Sequence, residues 1–394
     1  MIMRRYASTD ALDESAEESW HSAHVHYHAN QDDLLLDAVR PLLAEVRESV
    51  PRAYFVRHWR LGPHVRLHFR CTSDRWYDTV RPAVERTIVD YLRANPSMTP
   101  VDEGAEIAKH RELARLEREE GELTPFAPDN SLRFRPYEQR LHVLSTVEAA
   151  ELLAEFHTDA TDLVLAILEY ARAGGDRRGA CLAAMVAVAH TMCPPLTRGF
   201  VSFRSHAEGF LANCADPEGT RALFDRQYRR NAAALRHQVR GTLAALAGAA
   251  KPRADRAPDE LGEFTRRWAT LASTYRERAL PLIAAGHIGL DGAEEPQAES
   301  AAMRTSDFHR RLRASDSWEA LRDAEWFRCY RLLLNYLYLQ MNRIGISPLE
   351  RFLLCHLLAE AVEEEFHVRA LDVVEAIPSE NADDRYHDQG DHRV

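Results

Sequence analysis

The segment from Tyr54 to Arg70 constrains the fold more than any other part of the chain. In its second half, polar and apolar residues alternate strictly, which is typical of a strand with one buried face. The tripeptide Leu61-Gly62-Pro63 has the composition of a turn. The segment therefore predicts an antiparallel hairpin with strands over 54–59 and 65–70, and a polar face that carries His64, Arg66, His68 and Arg70.

Upstream, His24, His26 and His28 alternate with apolar residues, which predicts a third strand. Helical spacing predicts helices that begin at Asp32 and Asp74, and 132–143 is predicted to be extended. This order indicates a helix-rich α+β fold in which helices cover an antiparallel sheet. We expect one catalytic domain over 1–380, with a flexible connector at 286–306 and a disordered tail at 381–394.

The rest of the chain is predicted to be helical. Ser145 and Glu148 have the spacing of a capping box for a helix that ends near Phe156, and Ser347 and Glu350 have the same spacing before the last helix. Further helices are predicted over 159–172, 179–193, 217–246, 259–285, 323–343 and, for the last one, 348–376.

Composition excludes several classes of function. The net charge of -11 and a pI of about 6.0 argue against a nucleic-acid binder. Lysine occurs only at Lys109 and Lys251, which makes covalent lysine catalysis improbable, and no glycine-rich nucleotide-binding motif occurs. The scattered cysteines and the lack of a signal peptide or a long apolar run predict a cytoplasmic protein that does not bind membranes.

The polar row of the hairpin has two simple interpretations. It is either the solvated face of a sheet or a cationic floor that binds amide and carboxylate oxygens, and the acidic charge of the chain favours the second. The histidines His24, His26 and His28 also imitate a metal-binding pattern. Because no carboxylate or cysteine complements them, we predict no metal site.

Two motifs carry a family resemblance. The segment Tyr54–Arg70 resembles the "FIRY…HLRLRF" signature of the lantibiotic dehydratase C-terminal family, also called the thiopeptide-type bacteriocin biosynthesis domain. Downstream, Tyr338-Leu339-Gln340-Met341-Asn342-Arg343-Ile344-Gly345 is similar to the family's "HMHxNRxxG" helix. The resemblance implies a fold like the LanB elimination domain. It also implies one of two reactions, glutamate elimination that makes dehydroalanine, or pyridine formation in thiopeptide pathways.

Departures from the motifs favour the second reaction. Where eliminating members carry a histidine, this chain has Tyr338, and the second arginine of "RLRF" is His68. A phenol can donate a hydrogen bond or relay a proton without being charged at neutral pH. The alternative for Tyr338 is simple core packing.

The resemblance therefore implies a candidate site. We expect catalytic roles for Tyr338, Arg66, His68 and Glu138, although Glu138 and Arg140 have the spacing of a structural salt bridge. The residues expected to bind substrate are Arg57, His64, Arg70, Tyr137, Arg140, Asn342 and Arg343.

The resulting hypothesis is a pyridine synthase that joins two dehydroalanines of a ribosomally made precursor peptide by a formal [4+2] aza-cycloaddition, with loss of water and leader peptide. The alternatives are a split glutamate-eliminating enzyme and a non-catalytic scaffold that binds leader peptide. The resemblance implies no cofactor. The partner is the modified precursor peptide, and a homodimer is left open.

Overall fold

The computed structural model describes residues 17–248, 259–289, 304–315 and 318–376. The chain divides into two compact units, Met1–Gln139 and Arg140–Val394, called unit 1 and unit 2 below. The expectation of one catalytic domain over 1–380 stays a prediction. The predicted tail and most of the predicted connector lie outside the described residues.

Unit 1 contains a four-stranded antiparallel sheet with the strand order β2-β3-β1-β4. The strands are β1 (Ser19–His26), β2 (Ala53–His58), β3 (His64–Cys71) and β4 (Ser131–Pro136). The predicted hairpin is confirmed, because β2 pairs with β3 from Ala53↔Phe69 to His58↔His64. Leu61 and Gly62 have φ values of 62° and 98°, so the turn needs the left-handed conformation that glycine adopts readily.

Helices cover the apolar face of this sheet, as predicted. Trp76 packs edge-on against Phe134 and also contacts Phe69, with ring centroids 5.6 and 6.0 Å apart. The helices of unit 1 are α1 (Gln31–Leu34), α2 (Arg40–Val46), α3 (Ser73–Arg75), α4 (Arg81–Ala94) and α5 (Glu103–Glu117), with π-helical turns at Leu35–Val39 and Trp76–Val80.

The described part of unit 2 is helical. Its elements are α6 (Leu141–Leu144), α7 (Val147–Arg172), α8 (Arg177–Met192), α9 (Leu196–Gly199), α10 (Val201–Asn213), α11 (Pro217–Leu246), α12 (Glu260–Ala284), α13 (Asp307–Arg313), α14 (Trp318–Asp323), α15 (Glu325–Arg343), α16 (Pro348–Phe366) and α17 (Ala370–Glu375). The alanine-rich helix α8 is buried almost all round and packs against α7, α11, α12 and α15.

Several predicted helix boundaries were wrong. Thr146, not Ser145, caps α7, because its hydroxyl accepts a hydrogen bond from the backbone N–H of Ala149, and α7 then continues unbroken to Arg172. The last predicted helix ends at Phe366, where His367 adopts a left-handed conformation. The capping box of Ser347 and Glu350 is confirmed. Helix α10 was not predicted at all.

Among the described helices, none has by itself the length and apolar character that crossing a membrane requires. The segments Arg177–Met192 and Leu196–Asn213 meet this test only as a pair, and the chain bends by 103° between them.

Candidate functional site

The polar face of the sheet in unit 1 is set by strand register. Residues that pair across strands point to the same side, so His24 lies beside Arg66, and His26 and His58 lie beside His64. Arg133 of β4 joins this face opposite His24. The structure thus brings histidines and arginines from all four strands onto one side.

Arg57 lies on the other side of the sheet. It pairs with Val65 in the register of β2 and β3, and its guanidinium forms an ion pair with Asp32 at 2.5 Å. The structure therefore places Arg57 on the opposite side of the sheet from Arg66. Arg57 was predicted to bind substrate, but its guanidinium is paired with Asp32.

A hydrogen-bonded chain connects Arg66 to its neighbours. Arg66 Nε donates to His64 Nε2 at 3.1 Å, and His64 Nδ1 lies 2.8 Å from the carbonyl oxygen of Gly62. His64 therefore carries its proton on Nδ1. Glu138, whose side chain is 45% exposed, accepts from Arg66 Nη1 at 3.1 Å and lies 3.5 Å from Arg60 Nη1. Glu138 is thus held between two guanidinium groups.

Three histidines of this face, His24, His26 and His64, are neutral at neutral pH. Burial lowers the pKa of His24 to about 2 and that of His26 to about 4, and it lowers the pKa of His64 well below the usual value of a histidine. The positive charge of Arg66 acts in the same direction on all three. The expectation of a cationic floor is therefore wrong for His64, and the arginines of the hairpin supply the charge.

His68 and Tyr137 belong to an aromatic cluster. Tyr137 stacks on Trp20, and its hydroxyl is hydrogen-bonded to the hydroxyl of Tyr54 at 2.9 Å. The ring of His68 lies 4.8 Å from Tyr54 and 5.1 Å from Tyr137. Arg70 lies 3.6 Å from the carboxylate of Glu18.

The described residues contain no group of three or more histidine, cysteine, aspartate or glutamate side chains placed to hold a metal ion.

In unit 2, Tyr338 is the centre of a second polar cluster. Its side chain is on α15 and is 7% exposed. The hydroxyl oxygen lies 2.7 Å from Nδ1 of His206 on α10 and 3.5 Å from Sγ of Cys355 on α16. Three helices therefore fix the position of one phenol.

Burial holds this cluster neutral. It raises the pKa of Tyr338 well above the usual value and that of Cys355 to about 11, and it lowers the pKa of His206 to about 3.

Ser205, the residue before His206, contacts a further histidine, His309. Its Oγ lies 2.9 Å from one ring nitrogen of His309, and Ser306 Oγ lies 2.7 Å from the other. Because a neutral imidazole has one donor and one acceptor nitrogen, one serine donates and the other accepts.

Comparison with known proteins shows the family to which the chain belongs. A family model described as "Lantibiotic biosynthesis dehydratase C-term" matches residues 20–362, which include both motifs and both polar clusters. The chain belongs to this family. Among solved structures, the chain is similar to a pyridine synthase, TbtD, from thiomuracin biosynthesis, with 33% identity and a TM-score of 0.71 over 88% of this chain and 99% of that one.

The chain is also similar to TsrL, with 23% identity and a TM-score of 0.67 over 92% of this chain and 100% of that one. At this identity the likeness shows the fold alone. A search of curated proteins gave no match.

The second motif of the lantibiotic dehydratase C-terminal family lies on α15. Asn342 is exposed, whereas Arg343 is 1% exposed and lies in the core of unit 2. Arg343 donates to Gln340 Oε1 at 2.5 Å, to Thr161 Oγ1 at 2.6 Å and to the carbonyl oxygen of His157 at 2.9 Å. Arg343 was predicted to bind substrate, but its guanidinium is hydrogen-bonded to residues in the core of unit 2.

Arg140, another predicted substrate-binding residue, is the first residue of unit 2 and has a left-handed backbone conformation.

Sequence reasoning missed His206 because it missed α10. The spacing of Phe203, Ala207 and Leu211, all buried, is helical and was the available signal. A histidine among such residues does not reveal its tyrosine partner, which lies 132 positions away in the chain.

The buried histidines of unit 1 predict that stability falls in acid. Each binds fewer protons folded than unfolded below about pH 6.5, so the free energy of unfolding decreases as pH falls from there towards the folded pKa, by up to about 1.4 kcal/mol per pH unit for each. For His26 this window ends at about 4. Urea unfolding between pH 7.5 and 4.5 should therefore show a weaker pH dependence for His26→Leu than for the wild type. The control is His142→Leu at an exposed position, and an equal dependence in all three proteins would contradict the prediction.

The contacts of Arg343 predict a structural role. Arg343→Met leaves Gln340 and Thr161 without their donor and should lower the free energy of unfolding by about 2–4 kcal/mol. The adjacent, exposed Asn342→Ala should change it by less than about 0.5 kcal/mol. Urea unfolding of both variants measures this. Wild-type stability of Arg343→Met would show that the core bonds contribute little.

Proposed function

We propose that this protein is a thiopeptide pyridine synthase. It joins two dehydroalanines of a modified precursor peptide in a formal [4+2] aza-cycloaddition and then releases water and the leader peptide. The observation that carries the proposal is the 33% identity to a thiomuracin pyridine synthase over 99% of that protein. The broader conclusion, a role in thiopeptide biosynthesis, has the same support together with the family match.

The reaction balances without a cofactor. An amide next to one dehydroalanine shifts its N–H proton to the oxygen, which gives a 2-azadiene. Two carbon–carbon bonds then form with the second alkene, and the resulting ring contains the former amide carbon with its hydroxyl group. Loss of that hydroxyl as water, and of the leader as an amide, leaves an aromatic pyridine. No electrons are gained or lost overall, so the protein needs to supply only orientation and proton transfer.

Tyr338 and His206 are suited to this proton transfer. A neutral phenol that is hydrogen-bonded to a neutral imidazole can give a proton to the amide oxygen and recover one from the histidine, which in turn takes up the proton that leaves the amide nitrogen. Both groups are neutral at neutral pH, so the relay does not require either of them to ionise first. We propose that this pair catalyses the tautomerisation and the loss of water.

The polar face of unit 1 is proposed to bind precursor peptide. Arg66, His68 and Glu138 stay catalytic candidates, and His64, Arg70, Tyr137, Arg140 and Asn342 stay candidates for binding. Arg66 and the exposed carboxylate of Glu138 offer a donor and an acceptor for backbone amides. Arg57 is not proposed to bind substrate, because its guanidinium is paired with Asp32. Arg343 is not proposed to bind substrate either, because its guanidinium is hydrogen-bonded in the core of unit 2.

Incubation with a leader-bearing peptide that contains two dehydroalanines tests the proposal. Mass spectrometry should show a macrocycle and a released leader, and ultraviolet absorbance should show the new pyridine. Tyr338→Phe should lower the rate by about 10²-fold or more, because it removes the proton donor. Tyr77→Phe, at a hydroxyl-bearing ring that is 60% exposed, is the matched control and should react at the wild-type rate.

A parallel reaction with a peptide that carries a glutamylated serine separates the proposal from glutamate elimination. If the bis-dehydroalanine peptide stays unchanged and the glutamylated peptide loses glutamate, the protein is an eliminating enzyme and the proposal is wrong.

A further inference from the structure

Arg351 lies beside the cluster formed by Tyr338, His206 and Cys355. It is half-buried in the first turns of α16, four residues before Cys355. Its guanidinium carbon is 4.9 Å from the ring centroid of Tyr338 and 4.9 Å from that of Phe352. These contacts hold the guanidinium against the phenol while the N–H groups at its edge stay able to donate.

Arg351 has no acidic partner among the residues that the structure describes. Its Nε is buried and has no hydrogen-bond acceptor. The carboxylate nearest in the chain, Glu350, is bound to Arg178 and to Ser347. The buried Arg204 shows the usual arrangement in unit 2, since it forms ion pairs with carboxylates on two helices.

A partly desolvated guanidinium without a counter-charge is unusual in a chain with 61 acidic and 50 basic residues. The groups around it, Tyr338, His206 and Cys355, are neutral, so nothing in the cluster neutralises its charge. An arginine in this position is complementary to an oxygen that carries or develops negative charge.

We propose that Arg351 is a substrate-binding residue that donates hydrogen bonds to the peptide amide oxygen next to Tyr338. This deepens the proposed function and rests on it. When the amide proton leaves nitrogen, electron density moves from nitrogen to this oxygen, and the guanidinium stabilises it until the oxygen is protonated. One proton moves from nitrogen to oxygen, and no other group is consumed.

Binding measurements test the contact without requiring turnover. The probe is the leader-bearing peptide in which both dehydroalanines are replaced by alanine, titrated by calorimetry. Arg351→Met keeps an unbranched apolar side chain at this position and removes all donors, so Kd should rise about tenfold or more. Arg351→Lys keeps the charge but loses the planar fork and should also bind more weakly than the wild type. The control Arg229→Met, at an exposed position of α11, should bind like the wild type.

Kinetics then separate a substrate contact from support of the fold. With the bis-dehydroalanine peptide, Arg351→Ala should lose about 10²-fold in kcat and regain part of it when methylguanidinium is added, while its thermal unfolding matches that of Arg229→Met. Unchanged Kd and kcat in the Arg351 variants would overturn the proposal, as would an activity loss that methylguanidinium does not restore. Wild-type protein that binds the alanine peptide through Arg351 but does not convert the reactive one would refute the proposed function alone.

Discussion

In both units, the burial of histidine and tyrosine rings sets their protonation state, because burial disfavours the charged form of each ring. In unit 1 it keeps His24, His26 and His64 neutral, although arginines lie beside them. In unit 2 it keeps Tyr338 and His206 neutral, although Arg351 lies beside them. Desolvation therefore keeps these rings uncharged at neutral pH, whereas the arginines beside them carry a positive charge.

This distribution of charge suits chemistry that moves protons but transfers no electrons. Fixed guanidinium groups can bind amide oxygens, while neutral phenol and imidazole groups exchange protons. Glutamate elimination in this family was expected to use a histidine where this chain has Tyr338, and a buried phenol of raised pKa is a poor base at neutral pH. These properties favour a reaction in which Tyr338 acts as a hydrogen-bond and proton donor.

Period-two alternation was sufficient to predict the hairpin and its polar face, because a buried face leaves few alternatives for a strand. The α+β class followed from the order of the predicted strands and helices. Helix bounds depended on local caps, and these succeeded at Ser347 but failed at Ser145, where the neighbouring threonine caps instead. The substrate-binding role predicted for Arg57 was wrong, because the side of the sheet on which Arg57 lies is set by the register of β2 against β3 and is not visible in the sequence. His206 and Arg351 could not be assigned, because their significance arises only when α10, α15 and α16 pack together.

If Tyr338 and His206 act as a neutral pair, the single-turnover rate with the bis-dehydroalanine peptide should not depend on pH near neutrality. Because the pKa of His206 is lowered to about 3 and that of Tyr338 is raised, we expect a constant rate from about pH 6 to about pH 9. A rate that changes with an apparent pKa near 6.5, and no longer does so in His206→Asn, would contradict it.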